Sequence, residues 1–443
     1  MHTLEQLRTG ALAGATRLKL ACGLTIFPAE IFDLADSLEI LDLSGNALSA
    51  LPDDLPRLHK LRVLFCSDNQ FTVLPPVLGK CLQLSMIGFK ANRIDTVPAG
   101  ALPTALRWLI LTDNRIEDLP AEIGECKQLQ KLMLAGNWLS ALPARLAHCS
   151  RLELLRIAAN RFTELPDWLL SMPRLSWLAY AGNPVGDTRE LAALDNAAIP
   201  VIRWDDLQLQ AQLGEGASGV IHRVARRDHE EARPLALKIF KGALTSDGLP
   251  RSEMAACIAA GRHPNLIPIL GTLSGHPEQA EGLVMPLIAP QFRTLAGPPS
   301  LASCTRDIYD DALLLDGTAV IAMARGIASA VAHLHRCGIL HGDLYGHNLL
   351  HTGDGRVLLG DFGAASLFAP HASCATALQQ IDVRAYGVLL EELIRLCPAS
   401  LPPVLAGLAR ACLVDDSRSR PLFNEIERVL SSLTDAPAAT ATA

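Results

Sequence analysis

The stretch ILHGDLYGHNLL, residues 339–350, decides how the second half of the chain is interpreted. It places three polar side chains, His341, Asp343 and Asn348, among apolar residues. A second stretch, LLGDFGAAS at 358–366, adds the carboxylate of Asp361. A carboxylate can accept a proton, and carboxylate and amide oxygens can both hold a hard cation. The chemistry therefore depends on which other motifs accompany these two stretches.

Three further motifs precede them in the chain. LGEGASGVIHRV at 213–224 has glycines in the spacing G-x-G-x-x-G, LALKIF at 235–240 contains Lys238, and LPRSEMAACIAAG at 249–261 contains Glu253. The glycine spacing alone is also found in dinucleotide-binding folds, where a helix follows it. Here VIHRVAR follows, which predicts a strand, so the glycines are expected to lie in a hairpin and not before a helix.

In this order the motifs resemble those of protein kinases, over roughly residues 204–434. The resemblance implies a bilobal α+β fold that uses ATP and Mg²⁺. It assigns Asp343 as the catalytic base, Lys238 and Glu253 as a catalytic ion pair, and Asn348 and Asp361 as magnesium ligands. It further implies nucleotide contacts from Gly214, Glu215, Gly216, Gly219, Ile221, Ala236, Lys238, Met285 and Leu350.

The chain departs from the kinase pattern at several positions. Gly342 stands where arginine is usual, and Tyr345 stands where serine/threonine kinases carry lysine. Only 21 positions separate Asp361 from Asp382, the residue expected to brace the catalytic loop, and no clear A-P-E motif lies between them. Arg420 is therefore expected to lack its usual glutamate partner.

These departures leave three functions open. The first, which we favour, is an active protein kinase directed at serine or threonine. A nucleotide-binding pseudokinase scaffold is the second, and the retained Lys238, Glu253, Asp343, Asn348 and Asp361 argue against it. The third is a small-molecule phosphotransferase of the aminoglycoside or choline kinase type, which the short segment after D-F-G favours.

The first half of the chain is a repeat. Seven segments end in Asn46, Asn69, Asn92, Asn114, Asn137, Asn160 and Asn183, spaced by 23 residues with one step of 22. They resemble the leucine-rich repeat, L-x-x-L-x-L-x-x-N, and an earlier degenerate copy, RLKLACG, is expected to act as the N-terminal cap. The resemblance implies an α/β solenoid, with leucines inside and the asparagine amides bonded to buried backbone groups.

Strand alternation places the remaining strand residues on the concave face of that solenoid. Phe65, Trp108, Ile110 and Trp177 make this face unusually apolar for a solvated surface. The sequence therefore predicts that a protein partner or substrate binds there.

Net charge, apolar segments and cysteine content limit the remaining functions and cellular locations. Residues 1–186 carry 18 basic and 18 acidic groups, so the net charge of −7 belongs to the rest of the chain, and neither part is a basic binder of nucleic acid. No segment is long and apolar enough to predict membrane insertion. The eleven cysteines contain no C-x-x-C pair, which predicts reduced thiols in the cytoplasm.

The sequence thus predicts two domains with a short connection and a tail. Leucine-rich repeats occupy 1–186, a cap and linker 187–203, a protein kinase domain 204–434 and a disordered tail 435–443.

Overall fold

The computed structural model describes residues 2–195, 199–216, 218–227, 234–242 and 244–433. The chain divides into two compact units. The first extends to Leu175 and includes Asn183–Val185, and the second comprises Ser176–Gly182 and the residues from Gly186 onward. The predicted tail, 435–443, lies outside the described residues.

The first unit is a solenoid of short parallel strands. It opens with helix α1 (Leu4–Arg8), which Thr3 and Gln6 cap reciprocally. Its strands are β1 (Arg17–Lys19), β2 (Ile40–Asp42), β3 (Val63–Phe65), β4 (Met86–Gly88), β5 (Trp108–Ile110), β6 (Lys131–Met133) and β7 (Leu154–Arg156). Consecutive strands pair in parallel with the same positions of the repeat opposite one another.

Each strand returns through a short helical turn. The 3₁₀ turns are Ala29–Leu34, Leu55–Arg57, Pro76–Lys80, Ala99–Ala101, Ala121–Glu125 and Ala144–His148, and the last return is helix α2 (Asp167–Leu170). A proline in extended conformation caps most of these turns, for example Pro98, Pro120 and Pro143. Its fixed φ starts the return segment.

The repeated asparagines tie neighbouring turns together. Asn114 accepts a hydrogen bond from Ile94 N at 2.9 Å, and its Nδ2 donates to Phe89 O at 2.9 Å and Leu111 O at 3.0 Å. Asn114 is 5% exposed, so without these bonds the backbone groups that it satisfies would be buried and unpaired. This arrangement confirms the reason for an amide at that position.

The second unit begins with elements that the sequence assigned to the repeats and the linker. These are β8 (Trp177–Ala179), α3 (Asp187–Leu194) and β9 (Val201–Arg203). A sheet follows, formed by β10 (Leu207–Glu215), β11 (Gly219–Arg226), β12 (Leu235–Phe240), β13 (Gly271–Ser274) and β14 (Gly282–Pro286), with helix α4 (Pro250–Ala260) between β12 and β13. The order is β10-β11-β12-β14-β13-β9, so β9 adds a parallel edge strand to the sheet.

The remainder of the second unit is mainly helical. Its helices are α5 (Gly317–Arg336), α6 (Ala375–Arg395), α7 (Pro403–Cys412) and α8 (Phe423–Ser431). Its strands are β15 (Arg293–Thr294), β16 (Ile339–Leu340), β17 (Leu349–His351), β18 (Val357–Leu359) and β19 (Ser366–Leu367), in one sheet of order β15-β17-β18 and one β16-β19 pair. The predicted fold class, an α/β repeat solenoid followed by an α+β bilobal kinase fold, is confirmed.

Helix α5 is central to this helical part. Asp316 caps its N-terminus by accepting from Ala319 N at 2.7 Å, and Tyr386 of α6 donates to Ala324 O at 3.0 Å. Among the described helices it is the one whose length and apolar composition would allow it to cross a membrane. In this structure 56% of its most apolar stretch is buried within the protein, as in the core helix of a globular domain.

Candidate active site

A cleft in the second unit brings the sequence motifs together. The β10–β11 hairpin covers it, and Lys238 of β12 and Met285 of β14 line it from the sheet. The D-F-G stretch lines the opposite side. The lining residues that sequence analysis singled out are Gly216, Gly219, Ile221, Lys238, Glu253, Met285 and Asp361.

Lys238 and Glu253 form an ion pair inside this cleft. Glu253 projects from α4 and is 3% exposed. Burial opposes the charge of Lys238, but the neighbouring Glu253 and Asp361 carboxylates hold the pKa of this lysine above its ordinary value. The ammonium group therefore remains charged at neutral pH.

The stretch 339–350 folds into a loop that links Asp343 to Asn348. The 3₁₀ turn Gly346–Asn348 brings the asparagine back, so that its Nδ2 donates to Asp343 Oδ2 at 2.8 Å and to Asp343 O at 2.9 Å. Gly360 N donates to Asn348 O at 3.1 Å, which joins this loop to the D-F-G stretch. The predicted base Asp343 is thus hydrogen-bonded to the predicted metal ligand Asn348, and the second predicted ligand, Asp361, directly follows the residue that donates to Asn348 O.

Asp361 adopts a left-handed backbone conformation, with φ of +54°. A non-glycine residue in this region is strained, although aspartate tolerates it better than most. Gly363 N donates to Asp361 Oδ1 at 3.1 Å, and Phe362 is buried with its ring 5.5 Å from that of His341. Asp361 and Phe362 both line the cleft, and Phe362 is the more buried of the two.

Asp382 braces the backbone of the catalytic loop through hydrogen bonds, as predicted. It is fully buried and accepts hydrogen bonds from His341 N at 2.9 Å and Gly342 N at 3.1 Å. His335 Nε2 lies 3.0 Å from Asp382 Oδ2. These contacts fix the backbone just before Asp343.

Two departures from the kinase pattern are explained by Ser176–Gly182, which we call the inserted segment. Gly342 has φ of +69°, and a Cβ there would overlap Leu178 O and lie 2.9 Å from Ala364 O. Tyr345 stacks on Trp177, with ring centroids 4.2 Å apart and planes 10° apart. The inserted segment thus occupies the space beside the catalytic loop that larger or charged side chains would need.

Arg420 has acceptors although its usual glutamate is absent. Its guanidinium donates to Val414 O at 3.0 Å and to Gln380 O at 3.2 Å, and the residue is 3% exposed. Burial, followed by the nearby charge of Arg384, lowers the pKa of Arg420 to about 10. Backbone carbonyls here satisfy donors that were expected to lose their partner.

The prediction that Trp177 offers a surface to an outside partner is wrong. Its side chain has no solvent exposure, its ring is stacked on Tyr345, and its Nε1 donates to Leu344 O at 3.2 Å. Phe65, Trp108 and Ile110 remain partly exposed on the sheet of the first unit.

Four predicted nucleotide contacts lie outside the lining of the cleft. Glu215 is exposed and paired with Lys241, and Ala236 is buried opposite Met285 in the sheet. A Cβ at Gly214 would have no other atom within 4 Å, and Leu350 lies half-buried in β17.

Several residues that line the cleft were missed by sequence analysis. Thr245, Asp247 and Cys257 all line the cleft. Cys257 could have been found, because it lies one helical turn after Glu253 and must share its face. Thr245 and Asp247 lie in an irregular loop without a recognisable motif.

The donor set suits a magnesium ion that is bound together with a nucleotide. Mg²⁺ is commonly held by one or two protein oxygen ligands plus phosphate and water, and Asp361 and Asn348 supply such oxygens. Within the described residues, no group of three or more His, Cys, Asp or Glu side chains could hold a metal by itself. The residues therefore fit an ion whose remaining ligands are phosphates.

Comparisons with known proteins agree with this arrangement. Residues 207–394 match the family model for the protein kinase domain, and residues 37–58 match the leucine-rich repeat model. The chain is 26% identical over 228 residues to a probable serine/threonine-protein kinase, drkC, of Dictyostelium discoideum, which covers 41% of this chain and 29% of that protein.

Two further relatives are a kinase and a leucine-rich repeat protein. A serine/threonine-protein kinase of Arabidopsis thaliana, AtPK1/AtPK6, is 25% identical over 283 residues, covering 57% of this chain and 56% of that protein. The mouse leucine-rich repeat and calponin homology domain-containing protein 1 is 32% identical over 100 residues, covering 23% of this chain and 14% of that protein. The chain thus spans less than two thirds of each relative.

Proposed function

We propose that this chain, a protein kinase with N-terminal leucine-rich repeats, transfers the γ-phosphoryl group of ATP to serine or threonine hydroxyls of a protein substrate. Two observations support the proposal: Lys238, Glu253 and Asp361 line one cleft, and Asn348 both binds Asp343 and accepts a hydrogen bond from Gly360 of the cleft wall. Phosphoryl transfer needs mainly positioning and charge neutralisation, and these groups supply both.

Each residue has a separate role in this proposal. When bound, Mg²⁺·ATP supplies the phosphoryl group and neutralises part of its charge. Lys238 would bind phosphate oxygens, and Glu253 would keep its ammonium group in place. Asp343 would accept the proton of the attacking hydroxyl, while Asn348 orients the Asp343 carboxylate through the 2.8 Å hydrogen bond.

We also propose that the repeats recruit the protein substrate or a regulator. The exposed parts of Phe65, Trp108 and Ile110 form an apolar strip on the sheet of the first unit. The indole of Trp108 also carries the Lys131 ammonium over its face, at 4.3 Å from the ring centroid. Aromatic groups with a cation beside them are common at the centres of protein interfaces.

The catalytic assignment is tested by two substitutions that keep side-chain size. Asp343→Asn removes the base, so turnover on a protein acceptor should fall by about 10²–10⁴ while nucleotide affinity stays nearly unchanged. Asp361→Asn should weaken magnesium-dependent nucleotide binding as well, and removal of Mg²⁺ with EDTA should abolish transfer in the wild type. Asp311→Asn, at an exposed position outside the cleft, is the matched control.

The measurement is transfer from labelled ATP, followed by identification of the labelled residue. Wild-type activity in Asp343→Asn would show that this loop is not catalytic. Label on aminoglycosides or choline but not on proteins would favour the small-molecule phosphotransferase. Nucleotide binding without transfer to any acceptor would favour the pseudokinase.

A further inference from the structure

We infer that the inserted segment and helix α3 are positioning elements of the kinase. They hold helix α4 and the activation segment, which runs from Asp361 to Asp382, in place without a phosphate. This inference rests on the proposed function. The repeat pattern places both elements in the repeats and their cap, yet each contacts a part of the kinase that must be ordered for phosphoryl transfer. Three contacts support the inference.

The first contact holds the activation segment. Tyr180 N donates to Ser366 Oγ at 3.0 Å, and the Tyr180 hydroxyl donates to Leu367 O at 3.3 Å. Ser366 and Leu367 form β19, which pairs with β16 immediately before the catalytic loop. Tyr180 and Ser366 are both buried. The inserted segment thus fixes the chain three residues after D-F-G.

The second contact holds the catalytic loop. Trp177 lies on the face of Tyr345 and donates to Leu344 O, and the guanidinium of Arg306 lies 5.4 Å from the Trp177 ring centroid. Leu178 O lies where a side chain of residue 342 would begin. The inserted segment therefore occupies the place from which an arginine would otherwise reach a phosphate on the activation segment.

The third contact holds helix α4. Glu190 of α3 is 8% exposed, and its carboxylate accepts from Gly182 N at 2.8 Å and from Ser252 Oγ at 2.6 Å. Ser252 directly precedes Glu253, the partner of Lys238. One carboxylate thus connects the end of the inserted segment to the helix that places the catalytic ion pair.

Together these contacts act on the parts that activation controls in protein kinases, the lysine–glutamate pair and the segment after D-F-G. Many kinases order that segment by pairing a phosphate with an arginine. Here the ordering groups belong to the chain itself, so the arrangement does not depend on a modification.

Glu190 offers the sharpest test, because one substitution removes its two bonds and another keeps them. In Glu190→Ala both bonds are lost, so kcat should fall at least tenfold while KM for an acceptor peptide changes less than twofold. In Glu190→Gln the amide oxygen can still accept from Gly182 N, and the amide nitrogen can donate to Ser252 Oγ. This variant should retain kcat within about threefold of the wild type. Thr188→Ala, at an exposed position of the same helix, should equal the wild type.

Amide hydrogen exchange in the full-length chain gives a readout that does not depend on catalysis. Glu190→Ala should speed exchange in α4 by at least tenfold, and Glu190→Gln should restore the protection. Should Glu190→Ala fail to fold, Ser252→Ala removes the α4 partner of the same carboxylate and is expected to act in the same direction on both readouts.

The outcomes separate this inference from the proposed function. Unchanged exchange in α4 together with wild-type kcat would overturn the inference and leave the kinase assignment intact. An equal loss of kcat in the alanine and glutamine variants would also overturn it, because the hydrogen bonds would then not be the cause. A wild-type chain that transfers no phosphate to any acceptor would refute the proposed function, and the exchange comparison would still decide whether Glu190 holds α4.

Discussion

Gly342 and Tyr345 show how a residue that departs from a family pattern can have a structural cause elsewhere in the chain. If the catalytic loop were considered alone, both residues would be interpreted as the loss of a basic side chain that kinases usually carry. Gly342 needs a left-handed φ and has a carbonyl oxygen against it, and Tyr345 supplies a flat surface for Trp177. Together with the segment that contacts them, these residues make up one packing arrangement.

Gly342 can be tested against a second glycine with a similar backbone. Gly342→Ala and Gly353→Ala both place a side chain at positive φ, +69° and +84°. That conformation should cost each variant about 1–2 kcal/mol. Only Gly342→Ala also meets backbone oxygens, which should add about 1–3 kcal/mol of overpacking.

The measurement is the free energy of unfolding of the second unit, identified as the transition that Mg²⁺ and an ATP analogue shift. We expect Gly342→Ala to be the less stable variant and to lose kinase activity, with Gly353→Ala close to wild-type activity. Equal costs would show that the Leu178 carbonyl does not lie against this position.

At the scale of elements, the activation segment is short and is held in place by the pairing of two strands. Its one strand, β19, pairs with β16, and the hydroxyl of Ser366 accepts from the inserted segment. Ser373 and Thr376, in contrast, are exposed. A phosphate on Ser366 would have no room in this packing, and a phosphate on the other two would meet no arginine at position 342.

We therefore expect activity that does not depend on phosphorylation of this segment. Phosphatase treatment, and the double variant Ser373→Ala/Thr376→Ala, should each leave kcat within twofold of the wild type. Ser366→Ala leaves the buried Tyr180 N–H without its acceptor, so it should lower stability by about 1–3 kcal/mol instead. A tenfold loss of kcat in the double variant, recovered with glutamates at the same two positions, would contradict this expectation.

The elements also show what the sequence could and could not predict. Local chemistry was visible: the repeat spacing and the asparagine ladder follow from residue types at fixed separations, and the resemblance to protein kinases implied the lysine–glutamate pair. The packing of strand β8 could not be predicted. The repeat pattern fixes the position of this strand but not the residues that cover its outward side chains. Trp177 and the carbonyl to which it donates are 167 positions apart, and no local signal reports such a contact.

At the scale of the whole molecule, the boundary between the two units differs from the boundary that the sequence pattern predicts. The pattern places the boundary at residue 186, whereas the inserted segment carries the last repeat motif and belongs to the kinase unit. Residues 187–203, expected to be a linker, contribute α3 and the edge strand β9 to the same unit. The last repeat motif therefore has a part in the structure of the kinase, and the substrate recruitment that we propose is assigned to the earlier repeats.

This division determines which substitutions should affect recruitment alone. The triple variant Phe65→Ser, Trp108→Ser and Ile110→Ser removes the exposed apolar strip, and such anchors commonly contribute about 2 kcal/mol or more each to an interface. Binding of a protein partner, measured by co-purification, should therefore be lost, while kcat on a generic peptide should stay within twofold of the wild type. The control Ile26→Ser with Leu82→Ser changes two well-exposed apolar residues outside the strands and should leave binding intact. Unchanged binding in the triple variant would exclude the strip as the interface, and unfolding of the first unit would show that these side chains stabilise the solenoid.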